Sequence, residues 1–193
     1  MTDSSSPIDH LQTAVRRIEP KRGLPPVEDW RPAREGEIDI RIGRDGRWWY
    51  RGSPIERAAM VRLFSTILRK DADGETYLVT PAEKLRIQVD DAHFLVTGLE
   101  VEGEGRGQRL HFSTQTGDRV VADAAHPLWV VVNPATGEPA PYLRVRGRLD
   151  GLLTRALYYR LVDAAQPETG PSGTELVVYS AGERFVLGSV AGD

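Results

Sequence analysis

A six-residue pattern occurs twice in this chain, one hundred residues apart: Thr80-Pro81-Ala82-Glu83-Lys84-Leu85 returns as Ser180-Ala181-Gly182-Glu183-Arg184-Phe185. Hydroxyl, turn, acid, base and apolar residue are each replaced by a chemical relative. Upstream, Ile55-Glu56 matches Leu149-Asp150, Leu63-Phe64 matches Leu157-Tyr158, and Ile67-Leu68 matches Leu161-Val162. This spacing exceeds the roughly 20–50-residue period of solenoid arrays and points to a duplicated domain. With 193 residues in the chain, each half can bury a core of its own.

The repeated unit reads as β-hairpin, helix, β-hairpin. In the first copy Ile38, Ile40 and Ile42 alternate with Asp39 and Arg41, the period of a half-buried strand. Arg44-Asp45-Gly46 is a hairpin turn, and residues 47–51 return as an aromatic strand. Ser53 followed by Pro54 and Glu56 is expected to cap a helix that buries Met60, Leu63, Phe64, Ile67 and Leu68 and turns Arg62 and Arg69 to water. Asp73-Gly74 closes that region, and strands over 76–80 and 84–89 follow. The second copy is expected to begin with three extra strands, 94–102, 108–116 and 119–123. The unit then recurs: strands at 128–132 and 142–146, a helix over 149–164, a loop at 166–173, and a last hairpin of 175–179 and 184–188. Residues 1–36 read as an N-terminal arm with one short helix near 8–18; Pro20, Pro25, Pro26 and Pro32 break longer regular structure, and Trp30 pins the arm. The expected architecture is α+β: an arm, a first domain over 37–93 and a second over 94–193, each an antiparallel sheet with one packed helix.

Net charge is −3 with both signs spread along the chain, which lacks the basic excess of a nucleic-acid binder. Cysteine is absent, so disulfides and thiolate chemistry are excluded. Residues 1–7 have neither the charged nor the apolar region of a secretory signal, and no apolar run has the length of a membrane span. A cytoplasmic protein is expected.

Familiar chemical motifs are missing. His10, His93, His111 and His126 do not pair at metal-site spacing. Asp71-Ala72-Asp73-Gly74-Glu75 places its glycine wrongly for a calcium loop and is a turn. Gly103-Glu104-Gly105-Arg106-Gly107 joins two strands, whereas phosphate loops open a helix. Asp90-Asp91 could serve acid–base work as a neighbouring pair, but acids at a strand end are more often solvated or paired with arginine. No cofactor and no metal are expected. Two basic strand faces stand out. Lys84 and Arg86 alternate with Leu85 and Ile87, and Tyr142, Arg144 and Arg146 alternate with Leu143 and Val145. A solvated sheet face is the plain reading; the sharper one has the two faces converge on an anionic ligand at the domain boundary.

Trp48-Trp49-Tyr50-Arg51-Gly52-Ser53-Pro54-Ile55, Leu63-Phe64-Ser65-Thr66-Ile67-Leu68, Thr80-Pro81-Ala82-Glu83-Lys84 and Asp90-Asp91-Ala92-His93-Phe94 resemble the bacterial family catalogued as domain of unknown function 1285. The resemblance implies two α+β domains from an internal duplication, the second superficially like a pleckstrin-homology domain. It also implies a nucleotide-like ligand at the domain interface and a role in signalling, and it carries over no enzymatic activity. The family pattern has proline where His93 stands. The leading expectation is therefore a non-catalytic, ligand-binding signalling protein using Thr80, Lys84, Arg86, Asp91, Tyr142, Arg144 and Arg146. A protein-interaction adaptor, with a protein partner, is the alternative; an enzyme with an acid–base centre near Asp91 is third.

Overall fold

Two units make up the structure, Met1–Asp91 with Gly147–Leu149, and Ala92–Arg146 with Asp150–Asp193. The computed structural model describes residues 6–18, 23–170 and 173–190. The start of the arm, residues 1–5, and Pro20 lie outside the described residues.

In the first unit, helix α1 (Pro7–Arg16) starts at Ser6, whose hydroxyl donates to the Asp9 carboxylate at 2.8 Å. It buries Ile8, Leu11 and Val15, the stripe expected of an amphipathic helix. Strands β1 (Arg34–Ile42), β2 (Trp48–Tyr50) and β3 (Ser53–Pro54) form one meander, helix α2 (Ala58–Ser65) follows, and β4 (Leu68–Lys70), β5 (Thr76–Val79) and β6 (Glu83–Val89) form another. The sheet order is β3-β2-β1-β6-β5-β4, with β1 and β6 parallel at the centre, so the sheet is mixed where an antiparallel one was expected: the two meanders join through their first and last strands. Apolar alternation along β1 sends Ile38, Ile40 and Ile42 inward, where they join Trp48, Phe64, Ile67 and Leu78 in the core.

The start of α2 departs from expectation. Ser53 is not a helix cap: Ser53 and Pro54 pair with Tyr50 and Trp49, and the Ile55 N–H donates to the Trp48 carbonyl at 2.8 Å. Arg51 and Gly52, both at positive φ, supply the tight two-residue turn that matches strand twist. The hairpin thus claims these residues, and the helix begins only at Ala58. It also ends early, because Leu68 turns into β4, and residues 71–75 become a hairpin turn in which the Asp71 N–H donates to the Glu75 carbonyl at 3.1 Å. Arg69, expected in water, is buried.

The second unit has β7 (Phe94–Glu102), β8 (Arg109–Thr114), β9 (Arg119–Val121), β10 (Leu128–Val132), β11 (Pro139–Arg146) and β12 (Leu149–Leu153), then helix α3 (Arg155–Asp163) and β13 (Gln166–Gly170), β14 (Gly173–Ser180) and β15 (Glu183–Val190). The six-stranded sheet runs β10-β11-β12-β7-β8-β9, with β12 and β7 parallel; β13-β14-β15 form a smaller antiparallel sheet. Both large sheets therefore have one plan: two three-stranded meanders joined through a parallel central pair. The hairpins β5–β6 and β14–β15, which carry the sequence repeat, occupy different places. β6 is central in its sheet and β15 is an edge.

The expected helix over 149–164 splits. Residues 149–153 are strand, and Thr154 caps a shorter helix by accepting from the Leu157 N–H. Leu149, Leu152, Leu153, Leu157 and Leu161 are all buried as expected, the first three from a strand. Gly151 explains the choice: a Cβ there would lie 2.8 Å from Val96 and 3.2 Å from Val145, so β12 packs where only glycine fits. Residues 166–170, expected as loop, pair with β14. Among the described residues, no helix is long and apolar enough to cross a membrane and no group of metal-binding side chains occurs.

Candidate functional site

The outward face of β11 carries the aromatic and basic candidate residues of the second unit. Leu143 and Val145 are buried, while Tyr142, Arg144 and Arg146 alternate outward and remain half-buried. Trp129 of β10 lies opposite Tyr142 in the register, and the rings stack with centroids 5.7 Å apart at 20°. The Arg144 guanidinium sits 6.0 Å from the Trp129 ring centre and Arg146 sits 4.9 Å from that of Phe94, both cation–π distances.

Each arginine of this face meets a carboxylate. Arg144 Nε donates to Asp150 Oδ1, and Arg146 Nη1 to Asp118 Oδ1. Asp118 is itself fixed, accepting from the Thr114 hydroxyl at 3.0 Å and the Thr116 hydroxyl at 2.9 Å. His93, buried, accepts the Asp150 N–H on Nδ1 at 3.1 Å, which places the ring proton on Nε2 when His93 is neutral. Burial pushes the Arg146 guanidinium down to about 10. The adjoining Asp118 carboxylate opposes that shift, and the group is charged at neutral pH.

In the first unit the candidate residues are more dispersed. Thr80 is buried and uses its hydroxyl oxygen on its own turn, accepting from the N–H groups of Ala82 and Glu83 at 3.3 and 3.1 Å. Lys84 is buried, not on a solvated face, and its ammonium meets Asp71 and Glu35 at 3.2 and 3.1 Å. Arg86, two residues along, pairs with Glu37 and Glu75 instead. It borders a cleft of about 710 Å³ with Glu37, Asp39 and Gln88, beside the place where β1 and β6 shift register between Glu37 and Arg41. Asp91 pairs with Arg44 at 3.1 Å. Asp90 accepts two bonds from Arg41, at 2.7 and 2.5 Å, and the Arg41 hydrogen bond holds its carboxyl below the usual range. A general acid needs the opposite shift.

The structure thus brings Tyr142, Arg144 and Arg146 onto one strand face and sends Lys84 and Arg86 to separate carboxylates. Trp129, which sequence reasoning passed over, completes the aromatic platform. Pairing outward from Asn133 and Glu138, whose backbones bond across the turn, sets it opposite Tyr142, whereas counting from the turn expected at 133–137 lands on Pro141.

The N-terminal-domain model of domain of unknown function 1285 matches residues 25–92, and the C-terminal-domain model matches residues 93–187. A crystal structure of a DUF1285 family protein from Silicibacter pomeroyi DSS-3 is 47% identical, with a TM-score of 0.84 over 93% of this chain and 95% of that one. One from Shewanella baltica OS155 is 30% identical, with a TM-score of 0.52 over 67% of this chain and 94% of that one. No curated protein matches. The two domain models together span most of the sequence, and the chain belongs to the DUF1285 family.

Proposed function

We propose that the protein is a non-catalytic ligand-binding protein for an anionic, nucleotide-like ligand, acting in bacterial signal transduction. The observation that carries this reading is the Trp129–Tyr142 stack with Arg144 beside it and Arg146 further along the same strand face. Flat aromatic surface suits a base, and guanidinium forks suit phosphate. Asp118 and Asp150 already neutralise the two arginines, so a ligand anion must compete with them. Affinity then depends on stacking as well as charge.

Thermal-shift and calorimetric titration of the whole chain with a nucleotide and dinucleotide panel tests this. A ligand that binds the native state raises the melting temperature by mass action. Arg144→Ala should weaken binding by about 1.5–3 kcal/mol, and Arg144→Lys should not restore it, because an ammonium makes no bidentate contact. Absence of a shift with every member of the panel sinks the reading.

One feature favours a protein-interaction adaptor as second reading. The edge strand β10 reads Leu-Trp-Val-Val-Val, and Val131 and Val132 are 50% and 56% exposed, a strand on which an extended peptide could pair. Stoichiometric co-purification of a protein, lost in Val131→Lys, would favour it.

A further inference from the structure

A second charged site lies wholly within the first unit. Arg69 of β4 is buried and four of its five N–H donors are engaged: Nη1 donates to the Val27 and Trp30 carbonyls at 2.8 and 3.0 Å, while Nε and Nη2 donate to Asp71 at 2.6 and 3.2 Å. Lys84 of β6 brings its ammonium to the same Asp71 carboxylate and to 4.2 Å from the centre of the Tyr77 ring. Burial opposes the charge of Lys84, but the hydrogen bonds it donates to Glu35 and Asp71 outweigh this and favour the protonated form. Two buried cations therefore share one carboxylate, and one positive charge is left over.

Glu35 supplies the balancing charge, and it differs in kind from Asp71. Its side chain is 66% exposed, against 21% for Asp71. An exposed, flexible glutamate gains little from one such contact, whereas a buried ammonium needs an anion. The cluster borders a cleft of about 580 Å³, and Arg31, Lys70 and Arg148 add positive charge around it. Of the other acids there, Asp73 is turned into its own hairpin, accepting from the Glu75 N–H and the Tyr77 hydroxyl at 2.9 and 2.8 Å; Glu28 is exposed.

We propose that this cleft is a binding site for a tetrahedral phosphate group, and that Glu35 is its tethered stand-in. A phosphate oxygen takes the place of the Glu35 carboxylate at Lys84 Nζ, while Asp71 keeps Arg69 and Lys84 in position. The rim cations add long-range attraction. The site is independent of the Trp129–Tyr142 face, and the failure of either leaves the other standing.

Calorimetric titration of the full-length protein with inorganic phosphate and with phenyl phosphate at low ionic strength tests the assignment. Glu35→Gln should tighten binding about two- to fivefold, the equivalent of losing an exposed ion pair that competes with the ligand. Lys84→Met should weaken it more than tenfold, as loss of a charged hydrogen bond does. Because Lys84 is buried and its loss can unfold the unit, Arg148→Ala and Lys70→Ala serve beside it; each should weaken binding several-fold and flatten the salt dependence. Binding of both probes identifies the phosphate dianion itself as the ligand group, and binding of phenyl phosphate alone identifies a phosphomonoester. Unchanged or weaker binding in Glu35→Gln overturns the stand-in role, and no binding of either probe to that variant overturns the site.

Discussion

Ser180 is wholly buried, and both capacities of its hydroxyl are used: it donates to the Ala122 carbonyl at 2.6 Å and accepts from the Leu110 N–H at 2.9 Å. It thereby ties β14 to the six-stranded sheet of its own unit. Ser180→Ala would strand two buried backbone groups and should cost about 1–3 kcal/mol, measured as a lower denaturant midpoint with an unchanged slope. Its sequence counterpart Thr80 has a local task in its own turn. The turns differ as well: Ala181 and Gly182 both have positive φ, a conformation that Pro81 cannot adopt. Similar residue chemistry therefore marks a hairpin at both places without fixing what the hydroxyl does. The candidate site shows the same division. The alternation of Tyr142, Arg144 and Arg146 was legible because it is local to one strand. Asp118 was not, because it reaches Arg146 only through the order of strands in the sheet; Asp150, six positions from Arg144, was hidden because its segment reads as helix as readily as strand. Arg69 reads as solvated from its helical spacing for a related reason: the carbonyls that bury it belong to residues 27 and 30, some forty positions upstream.

At the scale of elements, equivalent positions of α2 and α3 are not equally buried. Leu157 is 4% exposed and Phe64 is fully buried, whereas Leu63, the sequence match of Leu157, is only half-buried. Leu157→Ala should cost about 2–5 kcal/mol and Leu63→Ala distinctly less, a contrast read by thermal or denaturant unfolding of the two variants. Equal losses would mean that α2 packs more tightly than its exposure indicates. Strand bounds set by period-two alternation and a turn residue were readable: 94–102 and 128–132 coincide with β7 and β10. Segment 149–153 was not, since Leu149, Leu152 and Leu153 fit a helical stripe as well as a buried strand. Gly151 was the available signal, because a glycine inside an apolar run often marks close packing.

For the whole molecule, acid sensitivity follows from its carboxylates. Burial opposes the charge on Asp71, but hydrogen bonds from Arg69 and Lys84 outweigh it and hold the group below its ordinary value. Asp73, Asp90 and Glu168 are also lowered, chiefly by hydrogen bonds from the Glu75 backbone, Arg41 and Tyr179 respectively. Carboxylates with depressed folded-state values stabilise fully above the unfolded value, about 4, and that contribution disappears as pH falls through the folded values. The melting temperature should stay nearly level from neutral pH to about 5 and fall below about 4. Asp71→Asn should start lower and fall less steeply; a variant with an unchanged acid slope would show that Asp71 is not among the groups responsible.

The parallel pair at the centre of each large sheet also bears on the order in which the chain folds. Arg34 pairs with Glu83, forty-nine positions away, and Phe94 with Gly151, fifty-seven away, while the flanking meanders join strands that are near neighbours in sequence. Meanders can therefore form early, and the central seams close across long loops at an entropic cost. Buried seam residues such as Ile42 and Val96 should then act late. Ile42→Val and Val96→Ala should mainly accelerate unfolding, whereas Phe112→Leu, in the local β7–β8 hairpin, should mainly slow folding. Stopped-flow kinetics giving high φ-values at the seams would reverse that order, with the long-range parallel contacts serving as the nucleus.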